Sequence, residues 1–356
     1  MKKRYVVLIT IAIIALVGYI QRGPLAIRIM EVGAARLMNL DATSDYSDGL
    51  HIALCGAGSP LPDPKRSGSC VAVVAGKQLF IVDAGTNGVR NLNTMRYPVG
   101  KIKGVFLTHF HSDHIDGLGE LAMMRWVNGA NTKPLPVRGP SGIKQVVAGF
   151  NNAYQQDSIY RNDHHGDGVA PLSGRGMRAK GFALPDDGEL VRVFSGGGLT
   201  VDMLAVDHAP VAPAVAYLFS YKGRTALISG DTDKSANIEH FALEVDLLVH
   251  EALSRELVGV MNRAAVKAGN TGIAKITADI MDYHASPIEA AETARDAGVG
   301  HLLYYHVVPP LILPGTETVW LDGVEEVFAD YTLGEDGTVI SLPANSTDIV
   351  VLQQGL

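Results

Sequence analysis

Cysteine is almost absent, with Cys55 and Cys70 alone in 356 residues, so neither number nor spacing supports a zinc site built from thiolates. Charge is sparse as well, at 19% of residues with a net charge of -7, and no long basic run follows residue 30. Phosphate binding at physiological salt usually needs a clustered basic stripe, so this balance argues against a broad nucleic-acid surface. There is no internal repeat and no low-complexity tract, which leaves out solenoids and disordered arrays. What the chain does have is apolar side chains. At 47% hydrophobic it can bury a full core across one large domain or two small ones.

The clearest break in composition lies at the start. Lys2, Lys3 and Arg4 precede an apolar run over residues 5–20 that ends at Gln21, Arg22, Gly23 and Pro24. Basic residues before an apolar run hold that end in the cytoplasm and send the following chain outward, so residues 1–23 read as a signal anchor or signal peptide. No small-x-small cleavage site follows Leu16, which favours an uncleaved inner-membrane anchor over release into the periplasm. Residues 25–38 space apolar side chains at helical intervals around Arg28, Glu31 and Arg36, so 24–46 is expected to be a short juxtamembrane helix and linker. In the oxidising compartment beyond the membrane, Cys55 and Cys70 either pair as a disulfide between consecutive strands or stay as two buried thiols.

From Leu50 the pattern becomes short apolar runs broken by Gly, Pro, Asp and Asn. HIALCGAG, SCVAVVAG, QLFIVDAG and IKGVFLTHF read as strands of about five residues joined by tight turns. Helical spacing covers 117–128, 141–154, 254–268 and 287–297, and LTVDMLAVDHA, AVAYLFSY, TALISGD, VDLLVHEA and HLLYYHVV are further strands. The result is an α/β catalytic domain over 47–356. Residues 155–198, rich in Gly, Asp and Arg and weakly periodic, are expected to be an inserted loop region in which His164 and His165 are solvated. His109, His208, Asp231, His250 and His306 fall at strand ends, and His284 near a helix start. Layered α/β folds gather ligand sites at one end of their strands, so these dispersed residues can converge.

The strongest local signal is His109-Phe110-His111-Ser112-Asp113-His114, directly after the apolar run GVFLT. Neutral imidazole and carboxylate are good zinc ligands. Alternate residues of an extended segment aim two His at one ion, while the following turn aims Asp and His at another. HFHSDH resembles the HxHxDH signature of the metallo-β-lactamase superfamily, which implies a four-layer αβ/βα sandwich with a dinuclear metal site between two sheets. The chain is similar to the ribonuclease Z branch in particular: CGAGSPLPDPKRSG, IVDAG, VDHAPVAPAVAY, SGDT, HEA and YHASPIEAAETA resemble its motifs over residues 52–308. The resemblance places His109, His111 and His208 on one zinc, Asp113, His114 and His284 on the other, and Asp231 between them. It implies two Zn2+ per chain, with Mn2+ or Fe2+ tolerated by the same ligands. Two such ions lower the pKa of a shared water and stabilise charge on the attacked centre, and Asp113 can accept a proton from that water.

The resemblance further implies His250 as general acid, oriented by Glu251, although Ala252 and Leu253 depart from the family's HEAT motif. His306 aligns with a late strand and is expected to pack or support rather than ligate. A further departure bears on substrate: only two strands and a turn separate His208 from Asp231, leaving no room for the tRNA-gripping arm that many ribonuclease Z enzymes carry there. With export and an acidic net charge, this makes tRNA a doubtful partner. The expected partners are a small or oligomeric ester and a membrane, with a homodimer admissible. Phosphodiester hydrolysis leads, sulfate-ester hydrolysis follows, then lactam or lactone opening. From a different class, a non-catalytic metal-binding envelope module would keep the same ligands, but a bridging carboxylate favours catalysis because structural zinc sites are usually closed and four-coordinate.

Overall fold

A computed structural model of the chain describes residues 2–38, 40–353 and 355–356, and the chain divides into two units, Met1–Ala42 and Thr43–Leu356. In the first, Lys2–Leu37 is a single helix, long and apolar enough over Arg4–Ala34 to cross a membrane, with mean hydropathy 2.0. The expected boundary at residue 23 is absent, because Pro24 lies inside the helix. Proline removes one backbone N–H from the helical ladder and bends it, yet a long apolar helix tolerates that loss.

The second unit is built on two sheets. Its strands in chain order are β1 (Gly49–Gly56), β2 (Cys70–Ala75), β3 (Gln78–Val82), β4 (Ile102–Phe106), β5 (Leu135–Pro140), β6 (Met177–Phe182), β7 (Val191–Gly196), β8 (Leu199–Ala205), β9 (Val215–Tyr221), β10 (Arg224–Ile228), β11 (Leu247–Leu253), β12 (His301–Val308), β13 (Tyr331–Leu333), β14 (Val339–Pro343) and β15 (Val350–Gln353). One sheet has the order β15-β14-β1-β2-β3-β4-β5-β6 and the other β13-β12-β11-β10-β9-β8-β7.

Period-two alternation sorts side chains into three apolar layers. Leu50, Ile52, Phe80, Phe106, Leu247 and Val249 fill the space between the sheets. Ala53, Cys55, Ile81 and Val105 face helices on the outer side of the first sheet, among them Leu118–Asn128 and Ile143–Ala153. Leu248, Ala252, Leu302 and Tyr304 face helix Pro287–Asp296 outside the second. The expected helix–sheet–sheet–helix sandwich is therefore present, and each fully buried Leu, Ile or Phe contributes about 1.5–3 kcal/mol to it. Helix Pro287–Asp296 starts where the sequence places it because Ser286 and Glu289 form a reciprocal capping box with Pro287 in the first turn.

Cys55 on β1 and Cys70 on β2 are joined by a disulfide, which closes the question between pairing and free thiols. Residues 155–198 are not an inserted loop: they contain helix Gln155–His165, carrying exposed His164 and His165, and strands β6 and β7. Each strand ends its sheet, so one side has no neighbour and its residues need not be apolar, which is why the periodic signal is weak. Between His208 and Asp231 the chain forms the β9–β10 hairpin, closed by Lys222 and Gly223 with both φ values positive, at 47° and 80°.

Candidate metal centre

The centre forms where β3, β4, β8, β10, β11 and β12 end or bend. Asp83, just past β3, takes the backbone N–H of Thr108 at 2.8 Å and its hydroxyl at 2.7 Å, which fixes the exit of the chain from β4. His109 follows, His111 remains extended, and the one-turn helix Ser112–Ile115 swings Asp113 and His114 inward, where both are buried. His208 arrives after β8 and Asp231 after β10.

Donor atoms converge in three overlapping groups: His109, His111, His208 and Asp231; Asp113, His114 and His306; Asp231, His284 and His306. Asp231 spans them. Its Oδ2 lies 3.8 Å from His109 Nε2 and 3.9 Å from His208 Nε2, while Oδ1 lies 3.2 Å from His114 Nε2. The other ring nitrogens are held from behind. His114 Nδ1 donates to Asp83 at 2.7 Å, His208 Nδ1 to the Tyr283 carbonyl at 2.9 Å, and His109 Nδ1 meets the Thr108 hydroxyl at 3.1 Å. Thr108 spends its own proton on Asp83, so His109 is the donor in that pair. These contacts put the proton on Nδ1 and turn the Nε2 lone pairs inward. The Nε2 atoms of His109, His114 and His208 and Oδ1 of Asp231 are buried without a hydrogen-bond partner among the described residues. Unpartnered buried acceptors of this kind are costly unless something fills the space between them, and imidazole and carboxylate donors suit a divalent ion. Burial also pushes His109 well below its usual pKa and His208 down to about 4, so both are neutral, the form a metal requires.

The sequence expectations are met unevenly. His109, His111, His208 and Asp231 come together, as do Asp113 and His114. His284 reaches the same space, grouped with Asp231 and His306, and its Nδ1 is held by Glu251 Oε1 at 2.7 Å much as Asp83 holds His114. His250 is not brought to the cluster. On β11 it alternates with Val249 and Glu251 and shares the outer side with Leu248 and Ala252, and its Nδ1 donates to the Glu251 carbonyl at 2.7 Å. Glu251, one residue on, faces the centre and also takes the Thr232 N–H at 3.0 Å.

His306, expected only to pack or support, lies inside the centre, with Nε2 at 3.1 Å from Asp113 Oδ2 and 3.4 Å from Asp231 Oδ2. Regular alternation would put it beside Tyr304, facing the helices. Glu251 instead pairs with Tyr305 and Ala252 with Val307, which leaves His306 as the extra residue of a bulge with φ 45°. Bulges re-aim a side chain, and this one turns His306 into the crevice. Asp83 was visible only as the acidic turn of IVDAG, and its grip on His114 and Thr108 required the fold.

A profile of the metallo-beta-lactamase superfamily matches residues 63–296. The chain belongs to this superfamily. Ribonuclease Z of Mycobacterium avium (strain 104) is 33% identical over 290 residues, covering 81% of this chain and 96% of the relative. Among solved structures, the short form of human tRNase Z superposes with a TM-score of 0.59 at 20% identity, over 82% of this chain and 99% of that one. The metallo-beta-lactamase fold protein YhfI of Bacillus subtilis gives 0.58 at 20% identity, over 83% and 100%. This metallo-beta-lactamase chain is thus a ribonuclease Z-like, metal-dependent hydrolase.

Proposed function

We propose that the protein is a dinuclear zinc phosphodiesterase anchored at the outer face of an inner membrane. The observation that carries this reading is Asp231, whose two oxygens face His109 and His208 on one side and His114 on the other, among acceptors that have no protein partner. His109, His111 and His208 would hold one ion, Asp113, His114 and His306 the other, and Asp231 both. When bound, two divalent ions supply Lewis acidity and an acidified water. His284 would stand as the proton donor to the leaving oxygen in place of His250, because Glu251 holds its Nδ1 at 2.7 Å and so orients the ring towards the centre. Asp113, buried beside His306, would accept a proton from water. The helix Lys2–Leu37 and the Cys55–Cys70 disulfide support an anchored, extracytoplasmic setting. The two-residue β9–β10 turn supports a substrate other than one gripped by a tRNA-binding arm at that point.

The full chain in non-ionic detergent, loaded with zinc, should hydrolyse bis(4-nitrophenyl) phosphate faster than an aryl sulfate or a chromogenic β-lactam. His284→Ala and Glu251→Gln should each lower kcat by about 10²-fold or more while the protein keeps two zinc ions. Turnover of sulfate or lactam without diester would overturn the reaction class, and loss of one zinc in His284→Ala would return that residue to the ligands.

A further inference from the structure

A basic cavity lies apart from the metal centre. It measures about 670 Å³ and is lined by Lys133, Arg138, Arg178 and Lys180 with two prolines and an alanine between them. No carboxylate lines it, and among the described residues none of these four cations forms an ion pair. β5 and β6 bring them together. The strands run parallel with Pro136 opposite Arg178 and Arg138 opposite Lys180, so the cations share one side while Leu135 and Val137 enter the core beneath the helices.

Two features argue against a merely structural reading. Like charges directly opposite each other on neighbouring strands destabilise a sheet. Edge strands do carry cations that block unwanted pairing, which accounts for Arg178 and Lys180 on β6, but Arg138 is on β5, one strand further in. Its guanidinium is packed near Phe194 and Phe106, at 5.1 and 5.7 Å from the ring centroids, and its Nε and Nη1 are buried without an acceptor among the described residues. Gly104 on β4 makes the space, since a Cβ there would lie 2.8 Å from Arg138 Nη1. A guanidinium held this way lacks an anion.

The geometry also orients the groove. The N–H of Leu107 donates to the Arg138 carbonyl at 2.8 Å, so Arg138 is level with a residue two positions before His109, roughly 7 Å along the strand. Arg178 and Lys180, two residues apart on β6, recur at about the same interval along the groove.

We propose that this groove binds the phosphodiester backbone of a single-stranded oligonucleotide and leads its scissile end to the metal centre. The orientation rests on the phosphodiesterase reading, whereas binding does not. Such a groove tracks the backbone electrostatically and tolerates any sequence.

The test is fluorescence anisotropy with the full, metal-loaded chain in non-ionic detergent and a labelled 2′-O-methyl oligonucleotide of roughly 12 residues, within the usual site size for such grooves. Wild type should bind with log K falling against log salt at a slope of about -2 to -3, as expected for three or four neutralised phosphates. The pair Arg178→Glu and Lys180→Glu, both exposed on the edge strand, should cost tenfold or more and flatten that slope, with a melting temperature no lower than that of wild type, since Glu at 180 would face Arg138. Arg138→Gln should weaken binding in the same direction. Equal affinity in the Arg178/Lys180 variant would overturn the groove. So would a sulfated oligosaccharide of matched charge that binds more tightly and displaces the oligonucleotide, because the occupant would then be a glycan. Failure of binding with diester hydrolysis intact removes the groove alone, and binding without diester hydrolysis removes the proposed reaction alone.

Discussion

Replacing His250 with leucine separates a packing role from a chemical one. The residue is fully buried on the helix-facing side of β11, and burial lowers its imidazole from 6.5 to about 4. At pH 7 it is therefore neutral, donating from Nδ1 to the Glu251 carbonyl at 2.7 Å. Losing that hydrogen bond costs about 1 kcal/mol, offset in part by the apolar body of leucine. The pH dependence is the sharper consequence. Because the folded pKa is depressed, the unfolded chain binds a proton that the folded chain refuses between 6.5 and about 4. This share of stability is complete above 6.5 and is lost as the pH falls through the folded value. At about 1.4 kcal/mol per decade it amounts to about 3 kcal/mol by pH 4. Urea unfolding from pH 8 to 4 should show wild type more stable than His250→Leu by about 1 kcal/mol at the upper end. The order should reverse near pH 4, with the variant ahead by about 2 kcal/mol. Diester turnover near neutral pH should stay within about threefold of wild type, well short of the loss of a general acid. Parallel stability curves together with a hundredfold fall in kcat would refute the reasoning and place His250 at the reacting centre.

Two other perturbations probe the supports of the site and the fold. Asp83→Asn weakens the acceptor that orients His114 at 2.7 Å, so zinc affinity measured by competition with a chromophoric chelator should fall by about 10–100-fold while the fold is retained. Replacing Cys55 and Cys70 together by alanine opens a loop of sequence separation 15, which should lower stability by about 3 kcal/mol and shift the urea midpoint accordingly; an unchanged midpoint would mean the unfolded chain is not restrained by the bond.

The sequence by itself determined the chemistry at HFHSDH, because three imidazoles and a carboxylate within six positions have no packing rationale and a local segment carries the donors on its own. Much of the succession of strands and helices between residues 50 and 308 was legible too, since alternating apolar runs and capping signals such as Ser286 with Glu289 are local properties. Tertiary structure decided the rest. Whether His250 or Glu251 faces the centre depends on which side of β11 is inward, and a one-residue difference in a strand reverses the side. His306 enters through a bulge that regular alternation does not anticipate, and His284 finds Glu251 across 33 residues of chain. The basic groove has no contiguous run to betray it, because the parallel pairing of β5 with β6 assembles Lys133, Arg138, Arg178 and Lys180 from separate segments. Long-range register and strand defects are set by the packing of the whole sandwich, and that is information no local window of sequence contains.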